Sequence, residues 1–164
     1  MSSRTGIYPG TFDPITYGHI DVIRRATALF SKVIVLVASN TSKAPLFTMD
    51  ERVAMIREIF RTNRRVTVDS FDRLLVDYAR KKKPSVIIRG LRAVSDFEYE
   101  FQMALTNRKM NQAIDTVFLM PDERYTYLNS SIVREIARVG GSVESFVPPA
   151  VRARLLTKMK RKGK

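Results

Sequence analysis

The feature that most limits the fold of this chain is an alternation of short apolar runs with segments of helical periodicity. Five apolar runs, at residues 6–8, 33–38, 66–68, 86–88 and 116–120, are predicted to be strands. Runs that are apolar on both faces are typical of parallel sheets that helices cover on each side. The sequence therefore predicts a Rossmann-like, doubly wound α/β fold. We expect a five-stranded parallel sheet, helices on both faces and a closing C-terminal helix.

The segments between the predicted strands carry helix signals. Thr48 with Glu51, and Ser95 with Glu98, each have the spacing of a capping box, so each pair predicts the start of a helix. Further helices are predicted over residues 19–30, 74–82, 130–139 and 149–159, with Pro84 beyond the second and Gly140 and Gly141 closing the third. Helices therefore separate all the predicted strands.

The length of 164 residues suits one compact domain, and neither a linker nor an internal repeat divides it. Residues 158–164 hold five basic side chains and no acidic one. We expect a single domain over residues 1–157, followed by a basic, solvated tail over residues 158–164.

Several classes of protein are disfavoured by composition. The chain has no cysteine and one histidine, so disulfides, thiol catalysis and zinc fingers lack the residues that they need. The longest uninterrupted apolar run has six residues, whereas a membrane-spanning helix needs about 20. Residues 1–5 lack the apolar stretch of a signal peptide. We therefore expect a cytoplasmic protein that does not associate with a membrane.

The net charge of +13 indicates an anionic partner. Phosphate-bearing small molecules and nucleic acid both satisfy this condition. The basic residues are scattered over several predicted helices and match no nucleic-acid-binding motif, so we do not expect a nucleic-acid partner.

Polar and cationic side chains follow the carboxyl ends of the predicted strands. They are Thr11 and His19 after the first strand, Lys43 after the second, Arg89 and Arg92 after the fourth, and Ser130 and Ser131 after the fifth. Ligands of open α/β sheets bind at this edge, so the side chains are expected to form one anion site.

Gly18 and His19 are predicted to open the first helix, whose free N–H groups would attract a phosphate. The alternative is that Gly18 is an ordinary turn residue and His19 an ordinary helix-start residue. Arg89, Arg92 and the two serines have similar structural alternatives, and only their common position favours a shared role.

Four ordered motifs resemble those of the bacterial phosphopantetheine adenylyltransferases. These enzymes belong to the nucleotidyltransferase superfamily that carries (His/Thr)-x-Gly-His. The motifs are YPGTFDPITYGH at residues 8–19, IRGLRA at 88–93, DFEYE at 96–100 and FLMP at 118–121, and Ser130 with Ser131 resembles the serine motif of the family. Asn129 stands where the family often has a first serine.

The resemblance implies transfer of the adenylyl group of ATP to 4'-phosphopantetheine, giving dephospho-coenzyme A and pyrophosphate. It further implies direct in-line attack without a covalent enzyme intermediate, Mg²⁺ held mainly by the ATP phosphates, feedback by coenzyme A, and a homohexamer. The alternatives are another nucleotidyltransferase of the superfamily that uses a different phosphate acceptor and, less favoured by the motifs, a basic nucleic-acid-binding module.

Residue roles follow from the same resemblance. The catalytic residues would be His19, Lys43 and Thr11, and phosphopantetheine would be held by Thr11, Lys43, Leu75 and Arg89. ATP would be held by Thr11, Phe12, His19, Gly90, Leu91, Arg92, Glu100, Tyr125, Thr126, Tyr127, Leu128, Asn129, Ser130 and Ser131. Leu75 and Phe12 could instead be core residues, and Glu100 could pair with an arginine.

Overall fold

A computed structural model describes residues 4–39, 44–82 and 86–162 and has an α/β fold. Its five strands are β1 (Thr5–Gly10), β2 (Lys32–Ala38), β3 (Val66–Phe71), β4 (Val86–Gly90) and β5 (Asp115–Leu119). They form one parallel sheet in the order β3-β2-β1-β4-β5. The predicted five-stranded parallel sheet is confirmed.

In the described parts of the chain, six α-helices connect or follow the strands. They are α1 (Tyr17–Leu29), α2 (Met49–Ile59), α3 (Leu75–Lys82), α4 (Val94–Met110), α5 (Ser130–Arg138) and α6 (Pro149–Lys162). A 3₁₀ turn, Glu123–Tyr125, lies between β5 and α5. No helix among the described residues is both long and apolar enough to cross a membrane.

Side chains of β2 alternate between the two faces of the sheet, and each face has its own apolar core. Val33, Val35 and Val37 pack in a cluster with α1, α2, α5 and α6. Ile34 and Leu36 pack in a second cluster with α3. Helices therefore cover both faces, as the run of apolar residues in β2 predicted.

Helix ends test the predicted capping signals. The box at Thr48 is confirmed, with Glu51 N–H donating to Thr48 Oγ1 and Thr48 N–H donating to the Glu51 carboxylate. Gly140 closes α5 with a positive φ of 80°, and Gly141 N–H donates to Ile136 O, which completes a Schellman motif.

The predicted box at Ser95 is wrong. Helix α4 begins at Val94, one residue earlier than Ser95, and its N-cap residue, Ala93, has no side chain that can cap the helix. Asp96 in the first turn instead receives a hydrogen bond from Arg92 Nε at 3.0 Å. The start of the helix is therefore tied to the preceding loop by an ion pair rather than by a serine cap.

The C-terminal helix extends further than expected. Helix α6 runs through Lys162, and Lys158 Nζ lies 2.7 Å from Glu51 Oε1. The predicted boundary after residue 157 thus falls inside a helix whose Lys158 is paired with α2. Within the described residues, Lys158 is part of the folded domain.

The strand order determines where a ligand can bind. From β1 the chain moves through β2 to β3 at one side of the sheet, and then returns to place β4 on the other side of β1. This reversal leaves a crevice beyond the carboxyl ends of β1 and β4, which is where open α/β sheets bind their ligands.

Candidate active site

A cleft of about 470 Å³ opens at the carboxyl ends of β1 and β4. Many of the residues predicted to form the site line it: Thr11, Phe12, His19, Arg89, Gly90, Arg92, Glu100, Tyr125, Leu128, Ser130 and Ser131. The fold therefore brings together, from four separate stretches of chain, residues that the motifs singled out.

His19 is held by the N-terminal cap of α1. Thr16 N–H donates to His19 Nδ1 at 3.1 Å, and the Thr16 side chain accepts from the backbone of His19. Because Nδ1 accepts a hydrogen bond from an amide, the proton of the neutral ring resides on Nε2. The imidazole thus has a fixed tautomer whose donor is Nε2–H.

Burial and the nearby guanidinium groups of Arg92 and Arg89 lower the pKa of His19 to about 4. The free protein therefore carries a neutral His19 at physiological pH. A neutral imidazole with its proton on Nε2 can donate to an oxyanion, and its low pKa makes it a poor general base.

Phe12 shapes the turn after β1. It has a positive φ of 50°, which is unusual for a bulky residue, and its side chain is buried against Tyr8 and His19 with ring centroids 5.5 and 5.1 Å away. Gly10 leaves room for this ring, since a Cβ there would lie 2.8 Å from Phe12 Cζ. The turn presents Thr11 to the cleft while Phe12 anchors it.

Arg89 joins three elements at the base of the cleft. Its Nε and Nη2 donate to the two carboxylate oxygens of Glu100 at 2.7 and 2.5 Å, and its Nη1 donates to Pro9 O at 3.1 Å. These bonds use three of the five N–H donors of the guanidinium, so with respect to the described residues two are available to a ligand. Glu100 therefore pairs with an arginine, which is the alternative that the sequence left open.

Arg92 connects the loop after β4 to the other side of the cleft. Besides its bonds to Asp96, its Nη1 donates to Leu128 O at 3.3 Å. The guanidinium is thereby held at the rim between the start of α4 and the segment that precedes α5.

Asp13 and Arg134 also line the cleft, although the sequence analysis assigned no role to either of them. The buried carboxylate of Asp13 accepts from Leu46 N and Phe47 N at 2.8 and 2.9 Å, and it lies 3.4 Å from Arg134 Nη1. Arg134 Nη1 also donates to Asp13 O. The position of Arg134 one helical turn after Ser130, on the same face of α5, was the signal available for it.

The segment 125–131 contributes to the cleft unevenly. Ser130 Oγ donates to Pro14 O at 2.7 Å, and Ser131 Oγ accepts from Arg134 Nη2 at 3.2 Å, so both hydroxyls are oriented at the start of α5. Asn129 caps α5, its side chain accepting from Ile132 N at 2.9 Å. Asn129, which stands where the family often has a serine, thus serves as the N-cap of α5.

Several predicted site residues do not line the cleft. Leu91, Thr126, Tyr127 and Asn129 lie outside the lining, and Leu75 packs against the apolar cluster under α3. Lys43 lies outside the described residues. The binding roles assigned to these residues remain predictions.

The carboxylates of the cleft already have cationic or amide partners. Glu100 pairs with Arg89, Asp96 with Arg92, and Asp13 with Arg134 and two backbone amides. Within residues 4–39, 44–82 and 86–162, no group of three or more His, Cys, Asp or Glu side chains is arranged to hold a metal ion. The donors lining the cleft suit phosphate oxygens rather than a metal ion.

Comparison with known proteins identifies the fold and the family of this chain. Residues 7–136 match the cytidylyltransferase-like family. The nicotinic acid mononucleotide adenylyltransferase of Plasmodium falciparum, solved with NaAD, superimposes with a TM-score of 0.71 at 14% identity, covering 98% of this chain and 96% of that one. A structure from Vibrio parahaemolyticus has the same TM-score and identity. These two structures share the fold.

Much more similar sequences occur among bacterial enzymes. The phosphopantetheine adenylyltransferase of Caldanaerobacter subterraneus subsp. tengcongensis is 54% identical over 158 residues, which covers 96% of this chain and 99% of the relative. That of Geobacter sulfurreducens is 52% identical over 158 residues, covering 96% of each chain. The chain therefore belongs to the cytidylyltransferase-like family and, within it, to the phosphopantetheine adenylyltransferases.

Proposed function

We propose that this protein transfers the adenylyl group of ATP to 4'-phosphopantetheine and releases dephospho-coenzyme A and pyrophosphate. The observation that carries the proposal is the cleft itself, where Thr11 and His19 from the β1 side meet Arg89 and Arg92 from the β4 side. This donor set suits two phosphate-bearing substrates, and it occurs in a chain more than half identical to enzymes named for this reaction.

The reaction requires little proton transfer. A phosphate monoester has a second pKa near about 6, so the acceptor phosphate is largely ionised at neutral pH and needs no general base. Its oxygen forms a bond to the α-phosphorus of ATP while the bond from that phosphorus to the pyrophosphate oxygen breaks. The protein must therefore align two anions and stabilise the charge that develops between them.

His19 is suited to the second of these tasks. With Nδ1 occupied by Thr16 N–H, the Nε2–H group is available to donate to an α-phosphate oxygen. The donor belongs to a ring held in one orientation, so it need not reorganise as the charge grows. Thr11 would lie between the two substrates, and Lys43 would orient the acceptor phosphate, as family analogy suggests.

We further propose that Mg²⁺ arrives with the triphosphate of ATP and is held mainly by it. The three cleft carboxylates are engaged by arginines and amides, which supports a metal held by the substrate rather than by a set of side chains. Bound in this way, the ion would neutralise part of the charge on the phosphates.

One assay tests the function directly. The protein is incubated with ATP labelled in its α-phosphate, Mg²⁺ and 4'-phosphopantetheine, and dephospho-coenzyme A is detected. Nicotinate mononucleotide and a sugar-alcohol phosphate serve as alternative acceptors. We expect label transfer to 4'-phosphopantetheine at least a hundredfold faster than to either of the others. Preferential transfer to another acceptor would identify a different member of the superfamily.

Self-association is a further part of the proposal. Seven apolar residues of α4 are exposed: Val94, Phe97, Tyr99, Phe101, Met103, Leu105 and Met110. The charged residues of α4 are three acids and two bases, a net charge of −1 in a chain of +13, so the net positive charge of the chain would not oppose contact between two copies there. We propose that α4 is covered by another copy of this chain, in keeping with the expected hexamer. Feedback by coenzyme A and a cytoplasmic location stay predictions.

A further inference from the structure

Arg52 is a buried arginine that links the start of α2 to the ends of β1 and β2 through hydrogen bonds. It lies in the first turn of α2 and is 3% exposed. Its Nη1 donates to Thr11 O at 2.7 Å and to Ala38 O at 3.3 Å, and its Nε donates to Thr48 O at 3.3 Å. One side chain thus contacts the turn after β1, the end of β2 and the N-cap of α2.

The charge of Arg52 has no direct acidic partner in the part of the chain that the structure describes. Within the described residues, no carboxylate forms an ion pair with its guanidinium, and Asp13 interacts with it only at longer range. Burial accordingly lowers the pKa of Arg52. Buried arginines are normally paired with acids, because an unpaired buried charge is costly. Here backbone carbonyl dipoles take the place of the acid, and Thr11 O, at the shortest distance, is the principal one.

The carbonyl that Arg52 holds belongs to a turn under conformational strain. Thr11 is followed by Phe12, whose positive φ of 50° is unfavourable for a bulky side chain and persists only when its surroundings hold it. Arg52 holds one side of this turn through Thr11 O. Asp13 holds the other side through its bonds to Leu46 and Phe47.

We infer that Arg52 is a positioning residue for adenylyl transfer: it fixes the carbonyl of Thr11 and thereby the direction in which Thr11 faces the two phosphates. This inference rests on the proposed function. In-line transfer tolerates little misplacement, and a shift of about 1 Å can lower the rate roughly a hundredfold. Arg52 would therefore act on turnover through Thr11, without touching either substrate.

The test separates turnover from substrate binding. Arg52→Met removes the donors and keeps much of the side-chain volume, and calorimetry with ATP counts the competent sites. We expect kcat per ATP-binding site to fall roughly 10- to 100-fold, with KM for both substrates within threefold of the parent. Arg52→Lys, which can still donate to Thr11 O, should recover part of the lost kcat.

Arg57→Met is the matched control. Arg57 lies on the same helix, is exposed and also donates to a backbone carbonyl, Val68 O at 3.2 Å, which lies on β3 and does not line the cleft. Its kcat should stay within about twofold of the parent.

The results discriminate between the possible explanations. If Arg52→Met has parental kcat per site, the inference is overturned and Arg52 is merely structural. If Arg52→Met does not fold, kcat and KM of Arg52→Gln decide, because the shorter, uncharged amide does not reach Thr11 O from the same position: a lowered kcat with unchanged KM supports the inference, and parental values overturn it. A parent protein that makes no dephospho-coenzyme A overturns the proposed function and this inference with it.

Discussion

His19 serves the fold with one ring nitrogen and is available to the substrate with the other. Its Nδ1 completes the cap of α1, so the orientation of the ring is determined by the same bond that starts the helix. A side chain that must stabilise a transition state benefits from such a fixed position, since no reorganisation is needed when charge develops. The structural and the catalytic explanations of His19 are therefore compatible.

Two amide substitutions separate these roles. In His19→Asn the amide oxygen can replace Nδ1 as cap acceptor, but the donor at Nε2 is lost, and we expect turnover to fall roughly 10²- to 10³-fold. In His19→Gln the longer amide can place an N–H near the position of Nε2, and Gln at this helix position is also able to accept from Thr16 N–H. We expect a smaller loss of turnover than in His19→Asn. Steady-state kinetics measure both effects. Parental turnover in His19→Asn would contradict the assigned role.

The titration of His19 makes stability depend on pH. Its pKa is about 4 in the folded protein and 6.5 in the unfolded chain, so between these values the unfolded chain binds more protons. The contribution of His19 to the free energy of unfolding is therefore present in full above pH 6.5 and is lost as the pH falls towards 4. It amounts to at most roughly 3 kcal/mol. We expect the free energy of unfolding, measured with urea between pH 4.5 and 7.5, to rise less steeply with pH in His19→Asn than in the parent. Equal slopes would refute the low pKa assigned to His19.

At the scale of elements, Arg89 and Glu100 hold β1, β4 and α4 together beside the cleft. The carboxylate of Glu100 is buried and receives two hydrogen bonds, and the Arg89 side chain is 30% exposed. We expect Glu100→Ala to lower the free energy of unfolding by about 2–4 kcal/mol, because it leaves a largely buried cation without its partner.

The control for this change is a second ion pair between α4 and a strand. Arg108 and Asp115 are both more than half exposed, so Asp115→Ala should cost about 1 kcal/mol or less. Urea unfolding of the two variants gives the comparison. Equal losses would mean that burial does not distinguish the two pairs and that Arg89 and Glu100 do not anchor α4.

The elements were largely predictable from local sequence, whereas their polar connections were not. Strand β2 was predictable because its residues are apolar on both faces. The end of α5 was predictable because Gly140 can adopt the positive φ that often closes a helix. The start of α4 was mispredicted, since Ser95 has the spacing of a capping box but the ion pair of Arg92 and Asp96 ties the helix start to the loop. The burial of Arg52 arises from contacts with distant backbone, which no local pattern encodes.

At the scale of the whole molecule, the strand order brings the sequence motifs together at one edge of the sheet. The order β3-β2-β1-β4-β5 places the end of β1 beside the end of β4, so residues about 80 positions apart, such as Pro9 and Arg89, are joined by a hydrogen bond. Strand order is not readable from periodicity, but the rule that ligands bind where the order reverses predicted that residues after β1, β4 and β5 would meet. The family resemblance then supplied roles that donor chemistry alone leaves open.

The exposed apolar side of α4 leads to a prediction about assembly. Phe101 and Leu105 are 45% and 50% exposed, and soluble chains rarely leave so many large apolar side chains uncovered on one helix. If copies of this chain cover α4, sedimentation should give several times the monomer mass of 18.8 kDa, and Phe101→Glu with Leu105→Glu should shift it towards the monomer. Val139→Glu is the control, because Val139 is 80% exposed and lies at the C-terminal end of α5. The sedimenting mass of this variant should match that of the parent. A parent that sediments as a monomer at micromolar concentration would refute the assembly through α4, and it would leave the cleft as a site that one chain forms alone.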